Sequence, residues 1–516
     1  MSTGTKTPTT PTLPTLPTLP TLPSMPTHPP AGTVRSLYPA GTRAVIDEGL
    51  RLGDEILHTE RHLDVRSPYT GQQVGRVAMA TVEHVRRAMN IAHAYRPTLS
   101  RHARAQILNG AAALLRARAE TASDLITMES GLSKKDSRYE IGRVADVLGF
   151  GAIEALRDDG QVFSCDLTPH GKRRKVITMR EPLQGVITAI TPFNHPMNQV
   201  AHKVVPSIAS NNRMVLKPSE KVPLSAYFFA ELLYEAGLPR EMLQVLTGDP
   251  REIANELVMN PQVDLITFTG GVAIGKAIAC KAGYRRTVLE LGGNDPLIVM
   301  DDADLERASD LAVQGSYKNS GQRCTAVKRM LVHESVKERF TELVVAKTLA
   351  WRFGDPMDER NDMGTVIDEA AARHFERVVD EAVAQGARVL AGHRRDGALY
   401  APTVLENVRP EMTVVREETF GPVSPILGFR TIDEAIALSN GTAFGLSSGV
   451  CTNRLPDAIR FAQELNVGTV NVWEVPGYRI ELTPFGGIKD SGLGHKEGVQ
   501  EAIKSFSNTK TFSMPW

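Results

Sequence analysis

The sequence holds few cysteines, no surplus charge of either sign and no long apolar run, and each shortage removes a class of protein. Only four cysteines occur among 516 residues (Cys165, Cys280, Cys324, Cys451), with no CxxC pair and no histidine at zinc-ligand spacing. That is too sparse for a disulfide scaffold and the wrong pattern for structural zinc, so no metal is expected and a reducing cytoplasm is the default compartment. Lys and Arg number 59, and so do Asp and Glu, giving a formal net charge of zero. A nucleic-acid grip or a polybasic membrane patch needs excess positive charge to collect phosphates, and neither is expected. No apolar stretch approaches the roughly 18 residues that span a membrane. With 42% hydrophobic and 23% charged residues, what remains is an ordinary globular mixture. At roughly 150 residues per domain, the length suggests about three structural units.

Residues 1–35 stand apart, with nine prolines, eleven threonines and a Pro-Thr-Leu repeat from Pro11 to Pro23. Proline fixes φ and removes donors, so this stretch is expected to be an extended, disordered tail. It has neither the apolar centre of a secretory signal nor the arginines of a mitochondrial presequence.

From Gly185 the chain alternates short apolar runs with amphipathic stretches. Strands are expected at 185–191, 213–217, 243–247, 264–269 and 286–291, with helices at 196–210, 223–236, 251–259 and 271–282 between them. That alternation implies parallel pairing with right-handed crossovers, a doubly wound sheet that binds nucleotides at the carboxyl ends of its strands. A second alternating region runs from about Asn294 to Glu481, and a terminal strand is expected over Ile503–Phe512.

Phe268-Thr-Gly270-Gly271-Val-Ala-Ile-Gly275 follows a strand and opens a helix, where backbone N–H groups would face a pyrophosphate. The spacing is not GxGxxG, and on these residues alone a plain strand-to-helix turn is an equal reading. Five further segments carry polar groups of catalytic type near strand ends. They are Ile190-Thr-Pro-Phe-Asn194-His195-Pro196, Lys217-Pro-Ser219-Glu220, Leu289-Glu290-Leu-Gly-Gly293-Asn294, Asn319-Ser-Gly-Gln-Arg323-Cys324 and Glu418-Thr-Phe420-Gly-Pro422. Pro484-Phe485-Gly-Gly-Ile-Lys489 closes the series.

In order and spacing these segments resemble the aldehyde dehydrogenase superfamily over residues 50–516, including the 34 residues that separate Glu290 from Cys324. The resemblance implies a Rossmann-like, doubly wound cofactor domain over 36–165 and 183–289, and a second α/β, catalytic domain over 290–482. Residues 166–182 and 483–516 would then supply a β arm and C-terminal segment that make homodimers or homotetramers.

The chemistry of the residues points the same way. An aldehyde carbon becomes a good hydride donor only as a tetrahedral alkoxide, which a cysteine thiolate can create by adding to the carbonyl. The matching family nucleophile is Cys324, with Arg323 and an oxidised nicotinamide as sources of charge to lower its pKa. The other three cysteines are read as inert and buried. Asn194 and the Cys324 N–H match the donors to the alkoxide, and Glu290 matches the base that activates water against the thioester. Glu290 favours hydrolysis to a free acid over transfer to coenzyme A.

By the same resemblance Lys217 and Ser219 lie at the adenosine ribose, Gly270, Gly271 and Gly275 at the pyrophosphate turn, Glu418 at the nicotinamide ribose and Phe420 beside the nicotinamide ring. Glu220 falls where a carboxylate meets the ribose 2′-hydroxyl and repels a 2′-phosphate. NAD is therefore favoured, with NADP possible because Ser219 and Lys221 flank that carboxylate.

The substrate residues depart from the usual aromatic lining. His195, Arg323, Arg143 and Arg479 all fall near the expected tunnel. Converging arginines repel one another unless an anion joins them, and guanidinium forks match phosphate or phosphonate oxygens. A small anionic aldehyde is expected: phosphonoacetaldehyde, or the shorter phosphonoformaldehyde. Internal salt bridges to Glu140, Glu474 or Glu481 are the plain alternative for the arginines. Rival functions are a non-phosphorylating glyceraldehyde-3-phosphate or succinate-semialdehyde type of dehydrogenase, and a catalytically silent family member.

Overall fold

Val186-Ile-Thr-Ala-Ile190 is an apolar, β-branched run, and it forms the middle strand of a parallel sheet in the computed structural model. Met214–Lys217 and then Leu243–Val245 add on one side of it, after which the chain returns to place Val263–Thr269 and Arg286–Glu290 on the other. The reversal creates a topological switch point beside Val186–Ile190, the place where such sheets leave a crevice for ligands. A short hairpin, Leu50–Leu52 with Glu55–Leu57, extends the sheet to seven strands through antiparallel pairing of Arg51 with Val245. Helices Asn198–Ala209, Leu224–Glu235, Pro250–Met259 and Val272–Ala282 are the crossovers. Every residue of Asn198–Ala209 is buried, because the helix is covered on all sides.

A second seven-stranded sheet runs Arg388–Ala391, Thr403–Glu406, Val423–Phe429, Arg329–His333, Pro296–Val299, Ser447–Cys451, Thr469–Val472. All its neighbours are parallel except the first pair. Its two faces are covered by separate hydrophobic clusters, one around Phe375 and Phe461 and one around Tyr317 and Phe340. A third sheet, antiparallel, pairs Ser507–Pro515 with Arg174–Pro182 over nine residues and adds Val162–Ser164.

The structure describes residues 45–494 and 497–516, which belong to one compact unit, 43–516. The expected Pro/Thr tail over 1–35 lies outside the described residues. The terminal strand expected over Ile503–Phe512 is corrected: Val499–Ser505 is a helix, and the strand is Ser507–Pro515. The helix expected from Pro196 begins at Asn198, because Asn194 to Met197 form the turn that leaves the sheet. Among the described residues no helix is long and apolar enough to cross a membrane, and no group of three or more His, Cys, Asp or Glu is placed to hold a metal.

Candidate active site

The carboxyl ends of the first sheet carry the expected polar groups. Asn194 follows Ile190 and is buried, and no hydrogen bond occupies its side-chain amide among the described residues. Lys217 ends the adjacent strand, its ammonium 2.9 Å from Glu220 and 3.2 Å from the Pro218 carbonyl. Ser219 Oγ accepts from the Lys221 N–H at 3.3 Å, while the Lys221 ammonium pairs with Asp368. A flanking lysine read as tolerant of a 2′-phosphate is thus committed elsewhere.

Gly270 donates its N–H to the Glu290 carbonyl at 3.0 Å and links two strand ends. Gly271 caps helix Val272–Ala282 with no side-chain cap bond, and a Cβ there would meet nothing within 4 Å. The first N–H groups of the helix therefore face open space. A Cβ on Gly275 would lie 2.3 Å from Leu291, so glycine lets the helix pack close to the strand. Open helix N-terminus, lysine and carboxylate together fit the pyrophosphate and ribose of a dinucleotide.

Glu290 ends its strand buried, with its backbone bridged to Gly492. Across from it, the chain leaves helix Leu305–Tyr317 through Asn319, Ser320 and Gly321, all with left-handed φ, and reaches Cys324. Asn319 holds this loop to the first sheet. Its amide Nδ2 donates to the Asn194 carbonyl at 3.2 Å and lies 3.0 Å from His195 Nδ1, while its N–H donates to Asp136 at 2.9 Å. His195 Nδ1 also lies 3.6 Å from the Glu140 carboxylate, so the same nitrogen faces both a donor and an acceptor. Burial pushes the His195 pKa down, favouring a neutral ring.

The thiol is not activated by the protein alone. Burial pushes Cys324 up to about 11; Lys328 and Arg479 oppose that rise, and Asp295 and Glu418 add to it. The expectation of a lowered thiol is corrected: Arg323 spends Nη2 on the neutral Gly315 carbonyl at 2.6 Å and keeps its charge beside Cys324, but burial of the thiol outweighs it. The reading of the other cysteines is corrected as well: Cys451 is buried, but Cys280 is exposed and Cys165 half-buried.

Glu418 accepts from the Gly293 N–H at 2.9 Å and from Lys328 at 3.0 Å. Phe420, also left-handed, stacks its ring edge-on against Phe193 with centroids 5.8 Å apart.

Cys324 opens onto a cavity of about 200 Å³ that also brings together Arg143, His195, Arg323 and Arg479. Helix Lys134–Leu156 supplies Tyr139 and Arg143, and the segment after Trp473 supplies Glu474, Tyr478 and Arg479. Two of the arginines are already joined by the protein's own anion. Glu481 accepts from Arg143 Nε and from His202, and lies 3.8 Å from Arg479. Burial alone would raise the Glu481 pKa, but its contact with His202 and the guanidinium charges of Arg143 and Arg479 hold it well below the usual carboxylate range. Even so, Arg323 Nε and Arg479 Nη1 are buried with no hydrogen-bond acceptor. Arg479 also stacks on Phe485 at 3.8 Å.

Sequence reasoning missed Lys318, a fourth cation on the cavity wall, whose ammonium sits 3.7 Å from the Tyr139 ring centroid. It also gave no role to Lys328, or to Asn319 and Phe193, although the last two lie inside segments that the sequence singles out.

Two largely parallel sheets, a half-buried cysteine and a glycine-capped helix at the strand ends make up an α/β fold with the parts of a dinucleotide-dependent site. The chain belongs to the aldehyde dehydrogenase family, whose model matches residues 56–512. It is an oxidoreductase that acts on aldehydes with NAD or NADP. It is 41% identical over 463 residues to 3-sulfolactaldehyde dehydrogenase of Priestia aryabhattai, covering 90% of this chain and 97% of the relative. It is 41% identical to sulfoacetaldehyde dehydrogenase of Neptuniibacter caesariensis, covering 79% and 89%. Among solved structures, NADP-dependent glyceraldehyde-3-phosphate dehydrogenase of Bacillus halodurans C-125, complexed with NADP, superposes with a TM-score of 0.88 at 35% identity, covering 91% and 99%.

Proposed function

We propose that the chain oxidises a short aldehyde bearing a tetrahedral oxyanion to the corresponding acid, with NAD as the preferred acceptor. The phosphonoaldehydes, phosphonoacetaldehyde or phosphonoformaldehyde, are the leading substrates. The observation that carries the reading is the convergence of Arg143, Lys318, Arg323 and Arg479 on the Cys324 cavity, with buried guanidinium N–H groups on Arg323 and Arg479 awaiting an acceptor. Glu474, Glu481, Asp136 and Glu140 also act on these cations, so the argument for an anion rests on the buried guanidinium N–H groups that lack an acceptor and not on a net charge. His195 adds a neutral imidazole to the wall. A sulfonate offers the same three oxygens with one charge, and the curated relatives favour it as the second reading.

Cys324 Sγ adds to the aldehyde carbon, and the oxygen becomes an alkoxide facing the Asn194 amide and the Cys324 N–H. Lys217, Ser219, Glu220, the Gly270–Gly275 turn and Glu418 would hold the dinucleotide, with Phe420 along its ring, and that group would supply the acceptor for the hydride leaving this carbon. Glu290 then takes a proton from water, which attacks the thioester and releases the acid and the thiol. Glu220 favours NAD, since Lys217 and Lys221 are both paired with carboxylates and leave no free cation for a 2′-phosphate. A free nucleophilic thiol suits a reducing cytoplasm. The exposed edge strand Ser507–Pro515 would pair with a second copy, making a homodimer or homotetramer.

NADH formation at 340 nm, measured in parallel with phosphonoacetaldehyde, sulfoacetaldehyde, glyceraldehyde 3-phosphate and succinate semialdehyde, tests the reading. A tenfold or larger kcat/KM preference for the phosphonate, about 1.4 kcal/mol in the transition state, is expected. A preference for the sulfonate keeps the anion site and replaces the head group. A preference for the carboxylate overturns the tetrahedral-oxyanion reading.

A further inference from the structure

Lys328 is fully enclosed, and its ammonium is surrounded by oxygens of four residues. Nζ lies 2.7 Å from the Arg323 carbonyl, 2.8 Å from that of Cys324, 2.8 Å from that of Gly293 and 3.0 Å from Glu418 Oε1. Its side chain is 1% exposed. An ammonium has three hydrogens, so four acceptors within reach leave none of them idle. Burying a lysine costs several kcal/mol unless it is paired, and a neutral side chain of the same length would fill this space without that cost. Lys328 is not a surface lysine folded inward; its place is defined by what it grips.

Two of the gripped carbonyls flank the nucleophile. The Arg323 carbonyl and the Cys324 N–H belong to one planar peptide unit, so fixing the oxygen fixes the direction of the N–H. Binding a cation at the oxygen also polarises the N–H at the other end of the unit. That N–H meets no acceptor among the described residues. The loop needs such a clamp, because it is entered through Asn319 and Ser320 in left-handed conformations that cost of order 1–3 kcal/mol each.

The other two partners lie on the cofactor side. Glu418 accepts from both Lys328 and the Gly293 N–H, closing a ring in which Lys328 also holds the Gly293 carbonyl. A Cβ on Gly293 would lie 2.4 Å from the Cys324 carbonyl, so the strands of this ring touch the nucleophile loop directly.

We propose that Lys328 is a positioning residue that aims the Cys324 N–H at the alkoxide and couples the nucleophile loop to Glu418. This rests on Cys324 being the nucleophile of the proposed reaction. The positive charge beside the loop also eases thiolate formation.

The test compares wild type with Lys328→Met, which keeps length and loses charge and donors, and Lys328→Gln, which keeps two donors. For Lys328→Met, kcat with the best anionic aldehyde is expected to fall on the order of 10²-fold, the cost of losing an oxyanion donor, while KM for the aldehyde stays within about threefold. Iodoacetamide labelling of Cys324 at pH 8, followed by peptide mass, is expected to slow roughly tenfold as the thiolate loses its cation. Lys328→Gln should recover part of kcat and none of the labelling rate. A folded Lys328→Met with kcat within threefold of wild type and an unchanged labelling rate would overturn the proposal. Failure of both variants to fold, read by circular dichroism and thermal melting, would also overturn it by assigning Lys328 to stability. If wild type oxidises no aldehyde and Cys324→Ser changes nothing, the reaction itself is misread; the labelling comparison still reports on the Lys328 contact.

Discussion

Arg323 and Arg143 face the same cavity but are held differently, and that difference yields a sharp prediction. Arg323 spends one nitrogen on the Gly315 carbonyl and buries Nε without an acceptor. Burial pushes its pKa down, Asp136 opposes this, and Arg143 adds to the repulsion. Its free donor therefore belongs to whatever anion enters. A hydrogen bond to a charged group is worth about 1.5–3 kcal/mol, so Arg323→Met should lower kcat/KM for a phosphonate or sulfonate aldehyde roughly 10- to 150-fold. Propionaldehyde, which has no head group, should lose little, so the anionic-to-neutral ratio collapses by nearly the whole factor.

Arg143 already holds Glu481, and removing it strips a buried carboxylate of its nearest guanidinium. Breaking a buried pair costs about 3–5 kcal/mol, toward the lower end here because His202 and Arg479 remain near Glu481. Arg143→Met should therefore lower the thermal unfolding midpoint as well as the ratio, whereas Arg323→Met should leave the midpoint nearly unchanged. The assays are NADH formation with paired aldehydes and a thermal melt of each variant. Equal loss of activity on anionic and neutral aldehydes in Arg323→Met would refute the reasoning, since Arg323 would then serve Cys324 and not the head group.

Further outcomes follow from the same geometry. Because burial raises Cys324 to about 11, its iodoacetamide labelling in the free chain should climb about tenfold per pH unit from pH 7 to 9, with exposed Cys280 labelling faster. Added NAD should accelerate Cys324 alone, and a plateau below pH 8 without NAD would contradict the raised thiol. Glu290→Gln should release a burst of one NADH per active site and then stall, as quench-flow would show; steady turnover at the wild-type rate would remove Glu290 as base. Glu220→Gln should shift the kcat/KM preference toward NADP, and an unmoved ratio would put the specificity elsewhere. Light scattering should report a dimer or tetramer, and a monomer at micromolar concentration would leave the Ser507–Pro515 edge unpaired.

What was legible in the sequence follows from how each feature is encoded. The five parallel strands were visible because a strand buried on both faces reads as a near-continuous apolar run, as Val186–Ile190 does around Thr188 and Met214–Lys217 does up to its terminal lysine. The hairpin Leu50–Leu52 with Glu55–Leu57 was not, because three-residue strands carry no periodicity. The last turn of helix Val499–Ser505, from Ile503, was misread as strand because seven residues make fewer than two full turns and leave little helical pattern. Site residues stood out where they lie in compact motifs at strand ends, as Asn194, Glu290 and Cys324 do.

Pairings between distant residues were legible only as a choice among candidates. Arg143 and Glu481 are 338 positions apart; the sequence offered Glu481 as one of three carboxylate partners for the arginines, and the fold singles it out. Charge shows why this matters. Lysines and arginines equal aspartates and glutamates over the whole chain, which excluded polyanionic partners, yet that balance says nothing about how charge is distributed. Around Cys324 four cations share the cavity wall with Glu474, and Glu481, Asp136 and Glu140 are close enough to act on them. A chain can thus be neutral and still hold an anion at one point, and the point is found only once the fold has carried Arg143, Lys318, Arg323 and Arg479 to the same wall.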